Sequence, residues 1–294
     1  GGVESPLLPL LAGSEGTLGV LTEVLLRLLP APATRATLAA LFPDLERAFA
    51  AVAEVSRLGI VPAALEFLDR SALEALAASG MTGVPAGAAL VLVEVEGEPA
   101  SVAAELDAVR SALSEAGAGA VEAARDADEQ ARLWGLRKAI SAAVAAVMVG
   151  KVNEDVVVPR DRIAELCGRT EEIGRRHRVP VINFGHLGEG NLHVTFLIDP
   201  RRPGERSRGE AAAADLFEAV LSMGGSLSGE HGVGTSKLAD VERQLGAAGI
   251  GLMRRIKHRY DPAGLLNPGI KLPPEAAAPA VPAESAGTEP VAAS

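Results

Sequence analysis

One cysteine, one tryptophan and one tyrosine occur in 294 residues, and histidine occurs five times. The single thiol, Cys167, excludes an internal disulfide and fits a reducing compartment. Aromatic residues make up 3% of a chain that is 48% hydrophobic, so Ala, Leu and Val must build most of the core. No apolar run reaches bilayer length. The longest, AISAAVAAVMVG at 139–150, suits a buried helix. The first residues lack the charged-then-apolar pattern of a secretory signal. These absences predict a cytoplasmic protein with no transmembrane segment, free or peripheral to the inner face of the membrane. Positive charge is scarce as well: 28 Lys and Arg face 38 Asp and Glu, for a net charge of −10. That balance excludes the broad basic footprint of a nucleic-acid binder. The Arg-rich stretches at 175–178 and 254–257 read as solvated helix faces.

What the chain does contain is alternation. Strand-like runs at 35–42, 61–69, 88–97 and 120–124 are separated by helical patterns at 43–59, 70–79 and 99–116. In the clearest strand, AALVLVEVEG, Val91, Val93 and Val95 share one face. A long helix follows at about 126–149, then a strand at 152–159 stopped by proline, a helix at 160–178 and two strands joined by a glycine-rich turn. A helix at 205–223, a glycine loop at 224–234 and helices near 235–246 and 247–259 complete the body. Residues 13–29 read as a glycine-rich turn leading into a strand or short helix. The fold class predicted is α+β, a largely antiparallel sheet with flanking helices, and its 35–124 portion is ferredoxin-like. Residues 273–294, rich in Ala and Pro, read as a disordered tail.

Four stretches carry candidate chemistry. In NFGHLGEGNLHVTF (183–196), His186 and His193 flank Gly188-Glu189-Gly190. The glycines argue against a helix. On two strands joined by a tight turn, the imidazoles either converge on a divalent metal or stand separately as polar residues near a turn. In GGSLSGEHGVGTSK (224–237), Glu230 and His231 are bracketed by glycines that allow close backbone approach, so Glu230 is a candidate third ligand and His231 a candidate base. AGSEGTLG (12–19) is a loop able to present backbone N–H groups to phosphate or a flavin, or is a plain turn. YDPAGLLNPGIKL (260–272) reads as a turn carrying Asn267.

Taken in order, GSEGTLGVLTEVLLRL, NEDVVVP, GHLGEGNLH, SGEHGVGTSK and DPAGLLNPG closely resemble the FAD-linked oxidases acting on D-2-hydroxy acids, over about residues 12–272. That family includes D-lactate dehydrogenases, the D component of glycolate oxidase, and D-2-hydroxyglutarate dehydrogenases. The resemblance implies a divalent metal, zinc foremost, held by His186, His193 and Glu230. It implies His231 as the base that removes the substrate hydroxyl proton and Arg137, in LWGLRKAI, as the partner of the substrate carboxylate. Lys151 and Asn153 fall near the substrate in a looser match. Ser14, Glu15, Gly16, Thr17 and Gly19 match the loop that contacts FAD, and Asn267 matches a C-terminal FAD contact. The reaction implied is oxidation of a small 2-hydroxy acid to the 2-oxo acid, with electrons passing to a quinone, a cytochrome or an electron-transfer flavoprotein. SGEH, with Ser228 and Gly229, is similar to the lactate and glycolate members.

The family's flavin domain begins well upstream of the position matched by Gly13. The resemblance therefore implies a C-terminal portion of such an enzyme: residues 1–30 a remnant of the FAD-binding domain, 31–272 the substrate- and metal-binding domain, and 273–294 the tail. Such a portion is a gene fragment, a truncated form, or one part of a split enzyme completed by a separate FAD-domain subunit. Two other readings fit the same residues. One is a metal-dependent hydrolase using His186, His193 and Glu230 with an activated water, which leaves GSEGTLG and NPG without a role. The other is a non-catalytic metal-binding subunit.

Overall fold

The structure is a computed structural model that describes residues 7–274. Most of the tail expected at 273–294 lies outside the described residues. Two compact units are present, residues 20–233 and the two segments 7–19 and 234–274. A one-turn helix, α1 (Leu8–Leu11), belongs to the smaller unit.

The larger unit runs β1 (Thr34–Phe42), α2 (Leu45–Arg57), β2 (Ala64–Asp69), α3 (Arg70–Ala78), β3 (Ala89–Gly97), α4 (Pro99–Glu115), β4 (Ala120–Ala123), α5 (Ala127–Val147), β5 (Gly150–Val157), α6 (Ile163–His177), β6 (Val181–His186), β7 (Asn191–Ile198) and α7 (Glu205–Ser222). A 3-10 turn, Arg160–Arg162, leads into α6. The strands form one seven-stranded sheet in the order β4-β1-β3-β2-β6-β7-β5, with every neighbouring pair antiparallel. The first four strands, with crossover helices α2 and α4, form the expected ferredoxin-like unit, and α3 is inserted between β2 and β3. The other three strands extend the sheet from β2.

Strand period divides the core in two. Leu38, Phe42, Phe67, Val91, Val93, Val194 and Phe196 point to one face, covered by α2, α4, α6 and α7. Leu68, Leu90, Leu92, Ile182 and Phe184 point to the other, covered by α3 and α5. The valines of β3 do share a face, and Leu90 and Leu92 are buried on the opposite one. Two helices cover less than four, and on that second face β6, β7 and β5 carry His186, His193, Thr195, Asn153 and Asp155. Helix α5 is fixed over this face by a buried carboxylate: Glu94 Oε2 accepts from Trp134 Nε1 at 2.7 Å, Thr37 Oγ1 at 2.9 Å and Gln130 Nε2 at 3.1 Å. One turn beyond Trp134 on the same helix is Arg137.

The hairpin between β6 and β7 needs its glycines. Gly190 has φ +81°, and a Cβ there would stand 2.2 Å from the Val158 carbonyl oxygen, which belongs to the chain just after β5. Gly190→Ala is expected to lower the unfolding free energy by about 2–3 kcal/mol, since both the left-handed backbone and the neighbouring carbonyl oppose a methyl group. A denaturation midpoint equal to the unsubstituted chain's would show that the turn relaxes freely.

In the smaller unit, helix α8 (Leu238–Tyr260) is interrupted at Gly246, whose φ of 68° and ψ of 165° separate it into the two helical pieces expected. Residues 19–32 differ from expectation: they form neither strand nor helix. Their apolar side chains have nothing among the described residues to bury against, and Leu25 is fully exposed. Secondary-structure propensity alone does not offset the entropy of ordering such a segment. No helix of the described residues is long and apolar enough to cross a membrane.

Candidate functional site

The β6–β7 register places His186 opposite Asn191 and Phe184 opposite His193. His186 and His193 are therefore diagonal neighbours on the same face of the sheet. Their rings lie edge to face, with centroids 5.3 Å apart. The loop after α7 brings Glu230 to both of them: its Oε1 is 3.6 Å from His186 Nε2 and 3.5 Å from His193 Nε2. His231 stacks on His193 with centroids 5.4 Å apart and an interplanar angle of 19°. Arg137 Nη2 is 3.4 Å from His186 Nε2, and its guanidinium carbon lies 5.1 Å from the centre of the Phe184 ring. Five residues singled out in the sequence thus come together at one place.

Two further residues, which sequence reasoning missed, hold this group. Glu66 on β2 is a bridge: Oε1 accepts from His186 Nδ1 at 2.6 Å, and Oε2 accepts from Arg137 Nε at 2.6 Å. Burial alone would raise the Glu66 pKa. The His186 hydrogen bond and the Arg137 charge outweigh it and hold the carboxyl below its usual range. The same hydrogen bond raises the His186 pKa. Asp155 on β5 stands opposite His193, and its Oδ2 accepts from the backbone N–H groups of Gly229, Glu230 and His231. Burial would raise the Asp155 pKa as well; the His231 N–H, the Asn191 amide and the Glu230 N–H overcome it and bring it to about 2. The available signal was a carboxylate beside apolar residues within a strand pattern, Glu66 between Leu65 and Phe67 in ALEFLD and Asp155 before Val156 in NEDVVVP.

These residues fit a divalent cation. Three donors at tetrahedral angles about 2.1 Å from a common ion stand roughly 3.4 Å from one another, close to the spacings that Glu230 makes with the two imidazoles. The donor atoms of His186, His193 and Glu230 all lie within 4.8 Å of one another. Burial, and after it the Arg137 charge, lowers the His193 pKa to about 4, so this imidazole is neutral near pH 7, as a metal ligand must be. Glu66 holds Nδ1 of His186, so Nε2 points toward Glu230, the usual carboxylate–histidine support of a metal ligand. Asp155, His193 and His231 form a second group within the same spacing. Both Asp155 oxygens already accept strong hydrogen bonds, and the first group is the better donor set.

Lys151 and Asn153 alternate with Asp155 along β5 on the same face, both exposed, and Asn153 Oδ1 accepts from Thr195 Oγ1 at 2.7 Å. The residues matched to flavin contact lie in or next to the smaller unit's loops. The Thr17 hydroxyl donates to the Ser14 carbonyl at 2.7 Å. The Glu15 carboxylate accepts from Gly234 N at 2.8 Å and pairs with Lys271 at 3.2 Å. The Asn267 amide donates to the Glu15 carbonyl, and a Cβ on Gly16 would stand 2.6 Å from that amide nitrogen. The side chains of Glu15, Thr17 and Asn267 therefore shape the loop itself.

The chain as a whole is similar to known proteins. The chain is 35% identical over 261 residues to glycolate oxidase subunit GlcD of Bacillus subtilis, covering 88% of this chain and 56% of that protein. It is 35% identical over 266 residues to a D-lactate dehydrogenase of Archaeoglobus fulgidus, covering 90% and 57%. It is 31% identical over 270 residues to the mitochondrial D-lactate dehydrogenase (cytochrome) of Arabidopsis thaliana, covering 90% and 47%. The chain thus spans about half the length of the curated relatives it matches. Among solved structures, 4-ethylphenol oxidase from Gulosibacter chungangensis superimposes with a TM-score of 0.63 at 19% identity, over 84% of this chain and 56% of that one. p-Cresol methylhydroxylase does so with 0.64 at 15%, over 83% and 54%. These two show a shared fold. The sequence model of the family described as FAD linked oxidases, C-terminal domain, matches residues 31–270, and the chain belongs to that family.

Proposed function

We propose that this chain is the substrate- and metal-binding part of a flavin-dependent D-2-hydroxy-acid dehydrogenase, with D-lactate or glycolate as substrate. The observation that supports it most directly is the convergence of His186 Nε2, His193 Nε2 and Glu230 Oε1 beside Arg137, in a chain similar to enzymes named for those two acids. FAD, when bound, would supply the acceptor for the C2 hydride, and a divalent cation held by His186, His193 and Glu230, zinc by this His-His-carboxylate set, would supply charge that lowers the substrate hydroxyl pKa. The Nη groups of Arg137, whose Nε is held by Glu66, pair with the substrate carboxylate and fix its orientation. His231 takes the hydroxyl proton. Removal of the hydroxyl proton and the C2 hydride together leaves the 2-oxo acid. His186, buried on its Glu66 side, and His193, buried throughout, stay in place while the more exposed His231 faces the substrate.

In the same reading, residues 1–30 belong to the flavin-binding portion and 31–272 to the substrate portion. The remainder of the flavin-binding portion comes from further sequence of the same polypeptide or from a separate subunit. Metal analysis, flavin absorbance and dye reduction dependent on D-lactate or glycolate test the proposal together. In a flavin-bearing form, His231→Ala is expected to lose turnover about 10²- to 10⁴-fold, the usual contribution of a positioned base, while keeping its metal. Unchanged turnover removes His231 as the base, and bound metal without turnover in that form favours a non-catalytic binding subunit.

A further inference from the structure

Asp155 has no part in the chemistry above, yet it touches both halves of the site. It is 1% exposed and stands opposite His193 in the β5–β7 ladder. Its two oxygens divide their work. Oδ2 accepts three successive backbone N–H groups, from Gly229 at 2.9 Å, Glu230 at 2.8 Å and His231 at 2.9 Å, and the Ser228 hydroxyl lies 3.3 Å away. Oδ1 accepts from Asn191 Nδ2 at 2.7 Å and lies 3.7 Å from His193 Nδ1. Successive N–H groups pointing at one anion form a concave nest that favours a negative charge. Here the anion is a side chain of the protein.

The approach is close enough to dictate sequence. A Cβ at position 229 would stand 1.6 Å from Asn191 Nδ2 and 2.8 Å from Asp155 Oδ1, so only glycine lets the loop reach the carboxylate. This anchor ties the backbone that carries Glu230 and His231 to β5, the neighbour of the strand that carries His193. Strand β5 reaches the loop independently through Ser226, paired in both directions with Val157 at 2.8 and 3.0 Å. That pairing lies upstream of the two functional residues and leaves their main chain to Asp155.

We infer that Asp155 is a positioning residue that holds the Glu230–His231 main chain against β7, setting the third cation ligand and the base relative to His193. The part of this that concerns the cation rests on the proposed function; the loop-holding part does not. The test therefore has a metal-free arm. Amide hydrogen exchange at Gly229, Glu230 and His231 is followed in the chain without metal, with the β3 amides as a control for the global fold. Zinc affinity is measured separately by competition with a chromophoric chelator. Asp155→Ala is expected to speed exchange at the three amides by about 10²-fold or more while β3 keeps its protection, and to weaken zinc binding about 10- to 100-fold, as loss of an outer support does. Asp155→Asn keeps an acceptor for the nest but not the charge, and is expected to give smaller changes of the same sign at the same amides. It also decides the matter if the alanine variant does not fold.

Unchanged exchange at 229–231 in a folded variant would overturn the inference. So would loss of zinc binding with unchanged exchange, which would make Asp155 a ligand. If the unsubstituted chain binds no zinc, the exchange arm still judges Asp155, and what fails is the cation reading.

Discussion

Alanine at both His186 and His193 is expected to lower zinc affinity on the order of 10³-fold or more, since two of three protein ligands are lost and a lone exposed carboxylate binds divalent cations weakly. Glu230 is 54% exposed along its side chain, so it remains in water after the change and adds no buried charge. The stability effect is unequal between the two sites. His193 is buried, in contact with Phe184 and His231, and its loss leaves a space; His186 sits at the end of β6 with its side chain 30% exposed. Single variants are expected to show the larger fall in melting temperature for His193→Ala. Metal content is read on protein dialysed against equimolar zinc and then freed of loose ion. Full metal retention in the folded double variant would place the cation elsewhere and remove the site.

Replacing Glu66 is expected to be nearly as damaging, although this residue touches neither metal nor substrate in the proposed reaction. Its side chain is 7% exposed and that of Arg137 13% exposed, so the pair is a buried ion pair with His186 as third member. Glu66→Ala leaves the guanidinium buried without its partner, a change that costs about 3–5 kcal/mol in comparable settings. Glu66→Gln keeps the shape but can accept on one side only. If its oxygen faces His186, its amide N–H groups face the Arg137 Nε–H, donor against donor. The glutamine variant is therefore expected to fold, to lose about 10- to 100-fold in zinc affinity, and to lose turnover through a misplaced Arg137. The two effects separate by assay: zinc titration reports His186, and KM for the hydroxy acid reports Arg137. A Glu66→Gln chain with unchanged zinc affinity and unchanged KM would reduce the bridge to a packing contact.

Sequence is most legible where information is local. Val91, Val93 and Val95 mark β3 through their own alternation, Gly246 divides α8 where the pattern predicts two helices, and the glycines between His186 and His193 define a hairpin that puts both rings on one face. The supports of the site are a different matter. Glu66 reaches His186 across 120 residues, and Asp155 reaches the Glu230 loop across 75. In isolation each is an acidic residue in a strand, and only the strand order β2-β6-β7-β5 shows that they point at the same cluster. The loop at 13–17 shows the same limit. Its glycines are visible in sequence, but the tie from Asn267 to the Glu15 carbonyl spans 252 residues and is not. Residues 19–32 mislead for the opposite reason. Their leucines and valines satisfy a strand pattern, and the described residues provide no surface on which that pattern can be buried.

That stretch has a practical consequence for anyone producing the chain. From Val20 to Leu29 every side chain is exposed, with Leu25 at 100%, Leu28 at 84% and Leu29 at 81%. Glu23 and Arg27 are the only charges in it. A strand-prone, nearly uncharged ribbon of this kind pairs readily with copies of itself. Those two side chains are its gatekeepers, and removing either charge favours self-association over soluble protein.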